Sequence, residues 1–132
     1  MKIRETQIRV RYHETDNMGV VYYANYFVWF EVARTEYLRG AGISYRQLEE
    51  KGVYLMVAEA TCQYKAPARY DDIVRIETWI PRFKNSSLEF AHKVYIGEKL
   101  IAEGESVHVF VNRSRRPVRV PEEIRSIDRE CR

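Results

Sequence analysis

The segment YANYFVWFEVARTEYL, from Tyr23 to Leu38, decides the fold. Its large apolar residues recur at steps of three and four, a spacing that places them on one face of a helix. These residues are Tyr23, Tyr26, Phe27, Phe30, Ala33, Tyr37 and Leu38. Gly40 and Gly42 follow and predict the end of the helix. Because this apolar face is wide and aromatic, with Trp29 off its centre, we expect a sheet to wrap around the helix.

Strand patterns surround the helix. Loose alternation of apolar and polar residues predicts a first strand over residues 3–12. Four more strands are expected over residues 54–65, 73–83, 88–96 and 100–112. Short connections between the last three strands are typical of hairpins, and Pro81 marks an edge position or a bulge. The order of one long helix and then a run of strands predicts an α+β domain with an antiparallel sheet of about five strands.

A short second helix is also expected, over residues 44–51. Ser44 supplies a cap, and Gln47 three residues later completes a capping box.

Length and charge limit the classes of function. A chain of 132 residues with 45% hydrophobic residues is expected to form one domain, over residues 1–132, and not to be disordered. Its net charge of +3 argues against a general polyanion binder, so no nucleic-acid partner is expected. Four arginines between Arg113 and Arg119 are an exception that suits the phosphate groups of a small ligand or of a carrier protein. An acidic protein, a nucleic acid, a membrane surface or plain solvation are alternatives for this cluster.

The sequence predicts a cytoplasmic protein. The longest stretch without a charge after Asp16 is residues 17–30, fewer than the roughly 20 needed for a membrane span. The N-terminus has no apolar region typical of a secretory signal. Cys62 and Cys131 form no C-x-x-C pair, so we expect free thiols and neither a disulfide nor a zinc site. Common nucleotide-binding, zincin and serine-hydrolase motifs are absent from the sequence.

The stretch RVRYHETDNMGVVYYANY, from Arg9 to Tyr26, combines residues that suit acyl chemistry. Asp16 precedes the start of the helix, and Gly19 allows a positive φ or a close approach of a ligand. Unpaired amides at a helix start can polarise a carbonyl oxygen. Asp16 could therefore attack an acyl carbon or take a proton from water. Alternatively, Asp16 only caps the helix or closes a turn.

The same stretch resembles the active-site signature of the 4-hydroxybenzoyl-CoA thioesterase family. Every position of that pattern is filled, by Arg9-Val10, Thr15-Asp16, Gly19-Val20-Val21, Ala24 and Tyr26. The segments ARTEYLR from Ala33 and APARYDD from Ala66 resemble the branch typified by the Tol-Pal-associated acyl-CoA thioesterase. The resemblance extends from Ile8 to about Pro121. It implies the hotdog fold and hydrolysis of an acyl-CoA to a free acid and CoA, with no metal or redox cofactor.

The resemblance also implies roles for single residues. Asp16 would be the nucleophile or the general base, and the backbone N–H of Tyr23 would bind the thioester carbonyl, with Gly19 shaping the approach. Close relatives often carry His at the position of Tyr23, so only the backbone role carries over. Tyr12 would orient substrate or water, or pack at the end of the first strand. A turn with Lys84, Ser86 and Ser87 would contact the phosphates of CoA.

Other polar residues are interpreted as structural. His13, His92 and His108 lack the spacing of a metal site. Glu31 is expected to pair with Arg34 at i+3 and not to act in catalysis.

Partners follow from the same resemblance. An acyl-CoA, or an acyl carrier protein, would bring the substrate, and chains would pair into a homodimer or a tetramer with Asp16 and the Lys84 region facing each other across subunits. Two alternatives remain. One is a dehydratase of the same fold, whose His and acid motif the sequence lacks. The other is a non-catalytic module that binds acyl-CoA or an acyl carrier protein.

Overall fold

Secondary structure in the computed structural model, which describes residues 2–130 and the side chains as far as residue 127, follows the predicted order. The elements are β1 (Arg4–Arg9), a 3-10 helix (Tyr12–Glu14), α1 (Asn25–Gly40), α2 (Tyr45–Glu50), β2 (Tyr54–Tyr64), β3 (Ile73–Phe83), β4 (Ser87–Ile96), β5 (Lys99–Val111) and α3 (Glu122–Glu130). Cys131 lies outside the described residues. The prediction for the first strand was too long, since β1 ends at Arg9 and Tyr12 begins the 3-10 helix.

The five strands form one antiparallel sheet in the order β1-β3-β4-β5-β2. β1 and β2 are therefore its two edges. The predicted bulge at Pro81 is confirmed, because the register of β3 and β4 shifts between Trp79 and Arg82. β1 pairs with β3 only as far as Thr78, so the missing N–H of Pro81 interrupts no ladder on that side.

The long helix α1 packs on the sheet through its aromatic face. Phe30 and Tyr37 are fully buried, and the ring of Phe30 stacks on His92 of β4 at 4.5 Å. Gly104 of β5 permits this approach, since a Cβ there would lie 2.5 Å from the Phe30 ring. Trp29, predicted off the centre of this face, is also buried, with 1% of its surface exposed, as expected for a helix that the sheet wraps. The sheet and helix have the arrangement that the resemblance implied.

Local signals account for the ends of the helices. Gly42 adopts φ +82° after α1, and Ile43 N–H donates to the Leu38 carbonyl across this turn at 2.9 Å. Ser44 Oγ accepts from Gln47 N–H at 3.1 Å, which confirms the predicted cap of α2. Among the helices of residues 2–130, none has the length and apolar character needed to cross a membrane.

Candidate active site

Asp16 lies at the tip of a tight turn that is closed by backbone hydrogen bonds. Its N–H donates to the Val20 carbonyl at 2.9 Å, and Gly19 N–H donates to the Asp16 carbonyl at 3.0 Å. Gly19 has φ +77°, a conformation that other residues adopt at a cost. Asp16 Oδ1 accepts from Met18 N–H at 2.8 Å, whereas Oδ2 has no hydrogen-bond partner within residues 2–130. The carboxylate closes a turn, but its second oxygen faces solvent.

An open backbone donor stands at the start of α1. The amides of Val21 and Tyr22 donate to the carbonyls of Ala68 and Glu14, each at 2.8 Å. The next amide, at Tyr23, has no acceptor in the described part of the chain. Ala24 at the N-cap contributes no side-chain cap, so Asp16 does not cap this helix. The turn and the helix start together offer a free carboxylate oxygen and a free N–H on one short segment.

Tyr64 of the edge strand β2 holds the helix start from the other side. Its hydroxyl donates to the Tyr23 carbonyl at 2.9 Å, and its ring meets the rings of Tyr23 and Tyr26 edge-on. Burial, together with a hydrogen bond to the half-buried thiol of Cys62, raises the pKa of Tyr64. The phenol therefore stays protonated and keeps its role as a donor.

Glu14 anchors the loop, and sequence reasoning missed it. Its side chain is 3% exposed; Oε1 accepts from Arg11 N–H at 2.8 Å, and Oε2 accepts from the indole N–H of Trp29 at 3.0 Å. Its carbonyl also accepts from the Asn25 side chain at 2.8 Å. The sequence shows only an acid, Glu14, and a Trp fifteen residues later, Trp29. This spacing does not by itself show that the two side chains meet or that the acid is buried.

Tyr12 lies apart from the predicted strand end. It begins the 3-10 helix with its side chain 76% exposed, and its ring meets Tyr70 edge-on at 5.6 Å. The prediction that Tyr12 packs at the end of the first strand was therefore wrong, because the chain leaves the sheet after Arg9. The phenol stands in solvent beside the loop of Asp16.

The turn with Lys84, Ser86 and Ser87 joins β3 to β4 at the opposite end of the sheet. Lys84 N–H donates to the Ser87 carbonyl at 2.8 Å, which closes the turn. The loop of Asp16 lies at the other end of β3, where Val10 N–H bonds the Asp72 carbonyl at 2.8 Å. β3 has 11 residues and so spans about 36 Å. One chain does not bring this turn to Asp16.

The three histidines do not form a common site. His13 is exposed, while His92 and His108 are buried and bond Thr78 Oγ1 and Ser106 Oγ, at 3.0 and 2.7 Å. Burial, reinforced by the charge of a nearby arginine, lowers the pKa of both buried imidazoles to about 3. Within the described residues, no group of His, Cys, Asp and Glu side chains could hold a metal ion.

The predicted pair of Glu31 and Arg34 is wrong. Their charged groups are not within 4 Å of each other, because Glu31 is exposed and Arg34 is buried under the helix.

Known proteins resemble this chain in both sequence and architecture. The thioesterase-like superfamily matches residues 10–127. The chain belongs to this superfamily. This thioesterase-like chain is 40% identical to the acyl-CoA thioester hydrolase YbgC of Escherichia coli O157:H7 over 106 residues, which are 80% of this chain and 79% of that protein.

Two solved structures give the fold of this thioesterase-like chain. A hypothetical protein from Thermus thermophilus superposes with a TM-score of 0.90 at 36% identity, covering 96% of each chain. A DHNA-CoA thioesterase from Staphylococcus aureus superposes with a TM-score of 0.90 at 26% identity, covering 100% of this chain and 97% of that one. The five-stranded antiparallel sheet with its long helix is the hotdog fold, as predicted.

Proposed function

We propose that the chain is an acyl-CoA thioesterase that hydrolyses its substrate to a free carboxylic acid and CoA. The observation that carries this proposal is the free Oδ2 of Asp16 on the same short segment as the free N–H of Tyr23. The names of YbgC and of the Staphylococcus aureus enzyme support the class of reaction. A cytoplasmic location and a single domain over residues 1–132 remain part of the proposal.

The Tyr23 amide is the proposed oxyanion donor. It would donate to the thioester carbonyl oxygen and stabilise the negative charge that develops there during attack. The positive end of the helix dipole adds to this effect. Gly19 serves the site by allowing the φ of +77° that holds Asp16 at the tip of the turn.

Asp16 then acts in one of two ways. As a nucleophile, its carboxylate forms a bond to the carbonyl carbon and expels the CoA thiolate, and water hydrolyses the resulting anhydride. As a general base, it takes a proton from a water molecule that attacks the same carbon. Both routes use one carboxylate oxygen free of protein contacts, and Oδ2 satisfies this requirement.

A homodimer would complete the site. β2 is an edge of the sheet, and an exposed edge strand is a template for pairing with another chain. Met56 and Val57 on this strand are exposed apolar residues, which favours burial against a second copy. A two-fold axis would pair β2 antiparallel with its copy and extend the sheet across both chains.

This pairing would also bring opposite ends of the two sheets together. Tyr64, the last residue of β2, lies beside the start of α1. Tyr54, the first residue of β2, lies at the opposite end of the sheet, near Ser87 at the start of β4. Antiparallel pairing would therefore set the Asp16 loop of one chain near the Lys84 turn of the other. There the Lys84 ammonium and the hydroxyls of Ser86 and Ser87 would suit the phosphates of CoA.

Two further parts of the proposal concern the substrate and the assembly. Tyr12, exposed beside the loop, would orient substrate or water. An acyl carrier protein is a second candidate donor of the acyl group, and two dimers would form a tetramer. Sedimentation at micromolar concentration tests the assembly, and a monomer would contradict it.

Free-thiol release from short, long, branched and aromatic acyl-CoAs tests the reaction. Asp16→Asn keeps the acceptor for Met18 N–H but removes the charge, so turnover is expected to fall by more than about a hundredfold with the fold intact. Asp71→Asn is the matched control, because the side chain of Asp71 forms only an exposed ion pair with Arg9 and the substitution leaves its backbone bonds in place. Unaltered turnover in Asp16→Asn contradicts the role of Asp16. Binding of CoA without any thiol release supports the binding module instead.

A further inference from the structure

A cavity of about 410 Å³ lies between the helices α1 and α2 and the strands β2 and β5. No residue of the Asp16 loop lines it. Apolar side chains surround most of it, among them Leu48, Val53 and Leu55. Arg34 and His108 are its buried polar lining, while Glu31 and Glu49 are exposed at its rim.

Arg34 is a buried cation without an anion. Its surface is 9% exposed, its Nε has no hydrogen-bond partner, and no carboxylate of the described side chains lies within 4 Å of it. Burial raises the pKa of the neighbouring Tyr45, whose hydroxyl hydrogen-bonds Arg34, so that phenol stays neutral and supplies no negative charge. A buried charge without an opposite charge beside it is costly to the fold, and a ligand anion would offset that cost.

His108 adds a second incomplete group. It is 1% exposed, its Nε2 bonds Ser106 Oγ, and its Nδ1 has no partner. Burial and the charge of Arg34 keep this imidazole and that of His92 neutral. The buried wall therefore carries one positive charge.

The rim does not cancel this charge. Glu31 and Glu49 are exposed to water, whose high dielectric weakens their interaction with a ligand deeper in the cavity. The Arg34 guanidinium acts in a drier environment, where charge-assisted hydrogen bonds to a carboxylate are strong. A single charge among apolar walls matches a monoanion with a hydrocarbon body better than a phosphate dianion.

We propose that this cavity binds the carboxylate of a small organic acid, with Arg34 as the charged donor, His108 as a second polar contact and the apolar walls around the hydrocarbon body. The site stands on its own geometry and does not depend on the role of Asp16.

Two sources could supply this carboxylate. One is a free carboxylic acid. The other is the distal end of a dicarboxylic acyl group whose thioester lies at Tyr23. Arg34 follows Tyr23 by eleven residues, about 16 Å along the helix axis. An arginine side chain spans part of that distance, and an extended ten-carbon diacid, about 11 Å long, covers the rest.

Calorimetric titration of the full chain with hexanoate and hexanamide tests the site. The two probes share size and apolar body but differ in charge. Hexanoate is expected to bind roughly 10- to 100-fold more tightly. Arg34→Met is expected to abolish this preference, and its thermal midpoint without ligand should be equal to or above that of the wild type, because an unpaired buried charge is removed. Arg46→Met is the matched control, since Arg46 is exposed on α2 and pairs only with exposed Glu50.

Equal affinity for the two probes, or no binding of either by the wild type, overturns the proposal whether or not the variant folds. A preference that persists in folded Arg34→Met also overturns it. Thiol release from decanedioyl-CoA and decanoyl-CoA separates the sources: a preference for the diacid that depends on Arg34 assigns the site to the substrate, and hexanoate binding without that preference assigns it to a free acid. Absence of all thiol release contradicts the proposed function and leaves the hexanoate result standing.

Discussion

Replacing Glu14 with glutamine tests whether the buried carboxylate holds the Asp16 loop on the helix. Each carboxylate oxygen accepts one donor, the Arg11 amide at 2.8 Å and the Trp29 indole N–H at 3.0 Å. Glutamine offers one carbonyl oxygen and one NH₂ group. One of the two donors, the part-buried Arg11 amide or the buried Trp29 indole, must therefore face the NH₂ group in Glu14→Gln.

The expected loss follows from these contacts. A buried donor left unsatisfied costs about 1–3 kcal/mol, and the remaining bond loses the strength that the charge confers, about 1 kcal/mol. The Arg11 guanidinium, 3.6 Å from Oε2 and 66% exposed, adds little because water screens it. The free energy of unfolding should fall by about 2–4 kcal/mol. For a chain of 132 residues, this corresponds to roughly 8–16 °C in thermal midpoint.

Urea unfolding followed by tryptophan fluorescence measures this change. Glu36→Gln is the matched control, since Glu36 pairs with Arg39 on the exposed side of α1 and its loss should change the free energy by less than about 0.5 kcal/mol. A double-mutant cycle with Trp29→Phe isolates the indole bond and should show a coupling of about 1 kcal/mol. Equal stabilities for Glu14→Gln and Glu36→Gln would refute the reasoning.

Three other predictions concern stability. Burial and the Arg34 charge lower the pKa of His92 and His108 to about 3, whereas imidazole in the unfolded chain titrates near 6.5. Below pH 6.5 the unfolded chain thus binds more protons than the folded chain, so stability falls as the pH falls. The free energy of unfolding should be highest above pH 6.5 and should fall by about 4 kcal/mol between pH 7 and pH 5. A profile that does not change with pH in urea unfolding would contradict this. Gly104→Ala places a methyl group 2.5 Å from the Phe30 ring and should cost about 1–3 kcal/mol, which thermal unfolding measures, and an unchanged midpoint would show that the helix yields freely. Ser44→Ala removes the acceptor that caps α2 and should lower the free energy of unfolding, measured in urea, by about 1 kcal/mol. An unchanged free energy would contradict this and show that water replaces the cap.

Local patterns predicted most of the fold. The aromatic periodicity of α1, the cap at Ser44 and the bulge at Pro81 depend on neighbours in the chain, and the structure confirms each of them. The turn at Gly19 is local as well, because it needs one residue with positive φ between short backbone bonds. Its place before the helix could therefore be predicted, although the roles of its residues stay predictions.

The errors came from burial and from distant contacts. Tyr12 was expected in β1, but whether a strand continues depends on its partner, and β3 begins opposite Arg9. Glu31 and Arg34 were expected to pair because helical spacing favours it, yet Arg34 is turned under the helix. Periodicity shows which residues share a face, but it does not show how deep that face is buried.

The sequence by itself determined the order of helix and strands, the hotdog fold and the family, because these depend on periodicity, turn residues and a motif of fixed spacing. Only the tertiary structure decided that Glu14 bonds Trp29, that Arg34 lies buried beside a cavity with its Nε unpartnered, and that the Lys84 turn is at the far end of the sheet from Asp16. These features depend on strand register and on the depth at which α1 meets the sheet. Both result from the packing of residues far apart in the chain, which local spacing does not encode.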